Sequence, residues 1–257
     1  MIFNKILYGG KNREWIVMLH GMGGSSNIWY KQIPFFSERY NILLVDYFGH
    51  GKTILTKPKY TFEDLSDSII EVMDHHKIDK AHIMGISLGS IIAHVMIYKY
   101  PERIISAVLG GAVLEFDLKS KILLYIGKAL RNILPYMQIY RLFALIVMPK
   151  PNHAKSRNIF IKEANRLGKK EFLKWYDLML NFPWKSREIK EQMIKTKVKK
   201  IFISGIEDHL FIDYVIKYSK KDKFARYSFI KHCGHVCNIE KYKIFNEIAY
   251  NFMMNSN

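Results

Sequence analysis

Cysteine is nearly missing from this chain: its 257 residues include two, Cys233 and Cys237. That excludes a disulfide framework. The pair flanks His235, but two thiols and one imidazole leave a zinc site one ligand short, so no metal is expected. Long apolar runs are missing too. The richest stretch, residues 122–148, is interrupted by Lys128, Arg131, Pro135 and Arg141. It falls short of the ~20 predominantly apolar residues that a membrane-spanning helix needs. The first fifteen residues lack the apolar core and small-residue cleavage site of a secretory signal. They read instead as a first strand ending at a Gly-Gly turn, and a cytoplasmic location is the default expectation. Carboxylates are scarce: 23 Asp and Glu stand against 40 Lys and Arg, a net charge of +17. Such an excess bears on solubility and anionic partners rather than on fold. No basic-aromatic recognition module accompanies it, so nucleic acid is not an expected partner.

What is present is an alternation. Short β-branched runs at residues 15–19, 42–45, 81–84, 104–109, 200–204 and 226–230 read as buried strands. Helical patterns separate them, which predicts a parallel sheet covered on both faces. The helix over residues 61–76 opens on Thr61 with Asp64 three residues on, a capping-box pattern. The last helix is expected at about 238–253, with Ile244, Phe245, Ile248 and Phe252 packed inward. The alternation stops between residues 115 and 197. That segment reads as helices only, over 118–132, 136–147, 153–167, 170–181 and 186–194, punctuated by Pro135, Pro149, Pro151 and Pro183. It is expected to be a helical cap inserted into a core formed by residues 1–114 and 198–257.

At the third of these runs the apolar residues end in Gly85-Ile86-Ser87-Leu88-Gly89. This matches G-x-S-x-G, a strand-to-helix turn so sharp that the central serine is held at strained dihedrals and projects from the sheet. Glycine is needed on either side because a Cβ would strike the neighbouring strand or helix. A serine so placed needs an acid after a later strand and a histidine near the C-terminus, in that order. Asp208 is placed for the acid, with Glu207 its rival. His235 is placed for the base, with His232 its rival. An oxyanion hole needs two backbone donors. Leu88 follows the serine and supplies one; Met22, in the loop His20-Gly21-Met22-Gly23-Gly24, is the natural second.

Five segments in order, HGMGGSS at 20–26, DYFGHGKT at 46–53, GISLG at 85–89, GIED at 205–208 and CGHVCNIEK at 233–241, resemble the α/β-hydrolase superfamily, in its small, cap-bearing, cofactor-free esterase and lipase type. The resemblance spans nearly the whole chain. It implies a mostly parallel sheet of about eight strands flanked by helices, with the cap inserted after the sixth. It implies no cofactor and a serine hydrolase acting on a lipophilic or small acyl ester through Ser87, His235 and Asp208. His20, Asp46 and His50 look catalytic when read singly; the resemblance implies that His20 supports the oxyanion loop and that the other two shape a turn. Glu240 is expected to serve the start of the last helix through its charge. His75, His76, His94, His153 and His209 are read as structural. Fold alone does not decide the bond cleaved. A thioester, lactone, amide or carbon–carbon bond, or a ligand sensor with no turnover, stays open beside the small-molecule ester.

The charge is uneven. Residues 115–197 hold 18 Lys and Arg against 7 Asp and Glu, so about a third of the chain carries most of the excess. One reading is a basic amphipathic cap resting on an anionic lipid membrane. The ordinary alternative, which helix patterning favours, is a solvated charged outer face over an apolar inner one.

Overall fold

The computed structural model describes residues 1–256; Asn257, the last residue of the expected core segment, lies outside them. Six strands arise where the β-branched runs stand: β2 (Trp15–Leu19), β3 (Asn41–Val45), β4 (Ala81–Ile86), β5 (Ile104–Gly110), β6 (Lys199–Gly205) and β7 (Ala225–Ile230). A short β1 (Asn4–Leu7) precedes them. They form one sheet in the order β1-β3-β2-β4-β5-β6-β7, parallel except where β1 runs against β3. Among the described residues the sheet thus has seven strands rather than about eight, and the helical insertion follows the fifth strand rather than the sixth.

Successive strand residues point to opposite faces, which makes two cores. Val17, Leu19, Leu43 and Ile83 pack with α2 (Phe62–His75), α3 (Leu88–Lys99) and α8 (Ile212–Ser219) on one side. Ile16, Met18, Leu44 and Met84 pack with α1 (Ile33–Phe36) and α10 (Tyr242–Met254) on the other. Thr61 caps α2 with the full reciprocal box to Asp64. The C-terminal helix comes in two pieces, α9 (Cys237–Glu240) and α10, because the backbone of Lys241 between them leaves helical dihedrals. Ile244, expected inside, faces solvent, while Phe245 and Phe252 are buried.

Between β5 and β6 lie α4 (Leu118–Leu130), α5 (Tyr136–Val147), α6 (Ala154–Ala164) and α7 (Gly168–Ile194). The break expected near Pro183 does not occur, and α7 runs through it. A proline there removes one i→i−4 bond. Phe182, buried edge-on against Phe62 and Phe116, anchors the helix across the lesion. Among the described residues, no helix is long and apolar enough to cross a membrane.

Candidate active site

One residue, Ser87, separates the end of β4 from the start of α3. It sits at φ 55°, ψ −116°. Such a conformation costs a non-glycine residue about 1–3 kcal/mol and persists only where its surroundings enforce it. Here they do. A Cβ on Gly85 would stand 2.5 Å from the carbonyl oxygen of Gly89, and a Cβ on Gly89 would stand 2.1 Å from that of Leu19. The Ser87 N–H donates to the Gly110 carbonyl at the end of β5, 3.1 Å away. The Ser90 hydroxyl donates to the Ser87 carbonyl (2.6 Å) and accepts from the Val113 N–H (3.0 Å).

The turn after β6 carries Asp208, and the loop after β7 carries His235; both side chains are buried. His235 Nδ1 lies 2.9 Å from Asp208 Oδ2, and Nε2 lies 2.9 Å from Ser87 Oγ. With Nδ1–H donated to the carboxylate, Nε2 is left to accept the serine proton. Asp208 Oδ1 is buried with no other partner among the described residues. The rivals lie elsewhere. Glu207 turns to Lys150, Asn152 and His153, and these donors hold its carboxyl down at about 2. His232 is exposed. Cys233 and Cys237 are buried, and burial pushes both thiols far up, which leaves them inert as nucleophiles.

Met22 and Leu88 stand at the wall of a cavity above Ser87 and His235. Leu88 is the first residue of α3, where the N–H has no intrahelical carbonyl to reach. The Met22 loop is fixed from below by two imidazoles. His50 accepts the Gly23 N–H at Nε2 (2.9 Å) and donates from Nδ1 to the Phe48 carbonyl (3.2 Å). His20 donates from Nδ1 to the Gly21 carbonyl (2.8 Å) and accepts the Tyr47 N–H at Nε2 (3.2 Å). Burial pushes both pKa values down, which keeps each ring neutral and its Nε2 free to accept. Asp46 accepts the N–H groups of Ser26 (2.7 Å) and Lys52 (2.9 Å), tying the same loop to the turn after β3.

Four hydrogen bonds here have no signal in the sequence pattern. The Tyr140 hydroxyl on α5 donates to the Met22 carbonyl (2.7 Å), and the Ser25 hydroxyl donates to Glu163 on α6 (2.7 Å). Glu240 lies in the first turn of α9, and it does more than stand at a helix start. Its carboxylate accepts the Gly234 N–H (2.6 Å) and the Ser156 hydroxyl (2.8 Å), so it holds the loop of His235 against α6.

The cavity holds about 140 Å³ and is walled almost wholly by apolar side chains, among them Val113, Phe116, Leu124, Phe172, Met179 and Phe211. Ser120 is an exception: its hydroxyl is buried there and makes no well-formed hydrogen bond among the described residues. The arrangement can therefore hold an apolar group against a polarised hydroxyl with two main-chain donors nearby.

Residues 14–128 match the model of a family described as the alpha/beta hydrolase fold. The chain is 27% identical over 100 residues to 3-oxoadipate enol-lactonase 2 of Acinetobacter baylyi, a match covering 39% of this chain and 38% of that protein. The chain thus spans well under half the length of that curated relative. Among solved structures, it superposes on an esterase from Exiguobacterium antarcticum with a TM-score of 0.82 at 17% identity, covering 98% of this chain and 95% of the other. It also superposes on the enol-lactonase from Burkholderia xenovorans with a TM-score of 0.81 at 19% identity, covering 98% and 96%. At such identities the likeness is one of fold.

Proposed function

Since the chain has the α/β-hydrolase fold, we propose that it is a serine hydrolase cleaving a carboxylic ester with a lipophilic acyl group, and that helices α4–α7 are its cap. The observation that carries this reading is the continuous line from Ser87 Oγ through His235 to Asp208, with both hydrogen-bond distances at 2.9 Å, beneath an apolar cavity. Ser87 attacks the carbonyl carbon as His235 Nε2 takes its proton. Asp208 orients the imidazole and stabilises its cation. The N–H groups of Met22 and Leu88 receive the oxyanion. Collapse expels the alcohol, which leaves with the proton held by His235. Water then attacks the acyl-enzyme by the same route, releasing the carboxylic acid and restoring Ser87.

A cyclic ester is the second reading, favoured by the enol-lactonase relative. The chemistry is the same; the leaving oxygen stays tethered to the acyl group.

The test pairs a fluorophosphonate, which should label Ser87, with p-nitrophenyl esters of graded chain length. Ser87→Ala should abolish labelling and lower kcat by about three orders of magnitude or more. Near-normal turnover in that variant would remove the nucleophile. Labelling and ligand binding without turnover would instead describe a sensor.

A further inference from the structure

Helix α4 is turned the wrong way for a helix in water. The residue it buries is Ser120. Leu118, Ile122, Tyr125 and Ile126 stand 73%, 50%, 55% and 48% exposed. Their spacing of four, three and one puts them on a single stripe. The stripe continues through Ile133, 76% exposed, to Leu142 and Leu145 of α5, at 50% and 48%. A solvated helix does the reverse, so the charged outer face that patterning favoured for the whole segment does not cover α4.

Two further observations say what the face fits. The first is charge. Between Asp117 and Glu163 the sequence has no carboxylate and nine lysines and arginines. Lys119, Lys128 and Arg141 are exposed on the same two helices as the apolar stripe. Long cationic side chains can reach past buried neighbours to a polar layer. The second is continuity. Ile126, Leu142 and Phe143 belong both to the exposed surface and to the wall of the cavity over Ser87. The face is therefore the rim of the site.

We propose that the α4–α5 face docks on a phospholipid bilayer carrying anionic headgroups, and that an acyl chain passes from the bilayer across this rim toward Ser87. The acyl-chain half rests on the ester reading above; the docking half does not. Apolar side chains enter the interface while the flanking cations meet lipid phosphates. A second copy of the chain fits poorly, because a two-fold contact pairs this patch with itself, and between Asp117 and Glu163 neither copy has a carboxylate to meet the other's cations.

The experiment is sedimentation of the full chain, as Ser87→Ala, with vesicles of phosphatidylcholine alone and of phosphatidylcholine mixed with phosphatidylglycerol. Mixed vesicles should pellet the protein at least about tenfold more strongly, and salt should weaken the binding. The triple variant Leu118→Gln, Ile122→Gln, Tyr125→Gln should lose about tenfold or more of that binding. With Ser87 intact, the triple variant should hydrolyse a short water-soluble ester at the unaltered rate, which also shows that it folds. Equal or negligible pelleting with both vesicle types overturns the proposal. So does a concentration-dependent dimer in sedimentation velocity that the triple variant dissolves. Vesicle binding without any ester turnover would keep the docking and remove the catalytic reading instead.

Discussion

The hydroxyl of Tyr140 donates a hydrogen bond to the carbonyl of Met22 across 2.7 Å, joining α5 to the loop proposed to offer the second oxyanion donor. Burial pushes the Tyr140 pKa well above its ordinary value, so the hydroxyl keeps its proton and its role as donor. The bond orients the Met22 peptide, and with it the loop that faces Ser87. Tyr140→Phe preserves the ring at the cavity wall and deletes this one bond, worth about 1 kcal/mol. The expected outcome is a roughly three- to tenfold fall in kcat on a soluble ester with KM little changed. A rise in KM at constant kcat would make Tyr140 a mere wall.

Gly89 meets the Leu19 carbonyl more closely than any Cβ allows, and the obstacle is backbone rather than a movable side chain. Gly89→Ala should therefore destabilise the protein by about 3 kcal/mol or more, through displacement of β2 from α3. Urea unfolding checks this as a fall in midpoint at constant slope. A variant as stable as the parent would show that the elbow does not depend on this contact.

The elbow was legible because its demands are local: a strand, two glycines and a helix within a few residues dictate the turn wherever they occur. Asp208 and His235 were legible through their order after later strands. The supports of the loop were not. Tyr140 and Met22 are 118 residues apart, and Ser25 and Glu163 are 138 apart. Nothing in a helical pattern marks which tyrosine will meet which carbonyl. The same limit governs α4: its periodicity reveals an apolar stripe but not whether the stripe faces inward or out. Pro183 misled for a related reason, since the packing of Phe182 outweighs one lost backbone bond.

His94 on α3 is buried beside Phe202, and its Nε2 has no partner among the described residues. Burial, aided by the charge of Lys200, pushes its pKa down to about 3. The folded protein then binds fewer protons than the unfolded chain wherever pH lies below about 6.5. Stability from this group is intact above that value and is lost as pH falls toward 3. By pH 5 the loss is roughly 2 kcal/mol relative to pH 8. His94→Leu should remove that share of the acid limb while leaving stability near pH 8 little changed. Urea unfolding at both pH values measures it; an unaltered difference between them would show that His94 is not the group responsible.

Lys200 is fully buried in β6, its Nζ 2.7 Å from Asp222 Oδ2, and Tyr218 donates to the same oxygen at 2.7 Å. Burial lowers the lysine's pKa, and the carboxylate opposes that shift. Removing the carboxylate strands a cation in the core, so Asp222→Asn should cost about 3–5 kcal/mol. Adding Lys200→Met removes the stranded charge, while the asparagine oxygen still accepts the Phe224 N–H and its amide can donate to the Tyr218 hydroxyl oxygen in place of the lost acceptor. The double variant should therefore recover at least half of the loss. If it proves no more stable than the single variant, the pair does not act as a charge-compensated unit.

Ser120 presents the opposite case, a buried polar group with little to compensate it. Its N–H is taken by Asp117 at 2.7 Å, and its hydroxyl, which lies beside the same carboxylate and helps to hold that carboxyl below its ordinary pKa, makes no well-formed hydrogen bond among the described residues. An unsatisfied buried hydroxyl costs the folded state about 1–3 kcal/mol, and the loss of one oxygen leaves little cavity behind. Ser120→Ala should therefore leave the free protein as stable as the parent or up to about 1 kcal/mol more so, against the usual direction of core substitutions. The same variant should hydrolyse plain alkyl esters at the parent rate, since an alkyl chain offers the hydroxyl no acceptor. Thermal unfolding together with kcat/KM on such an ester decides it: a destabilisation above about 1 kcal/mol would mean that the hydroxyl is satisfied after all, by water held in the cavity.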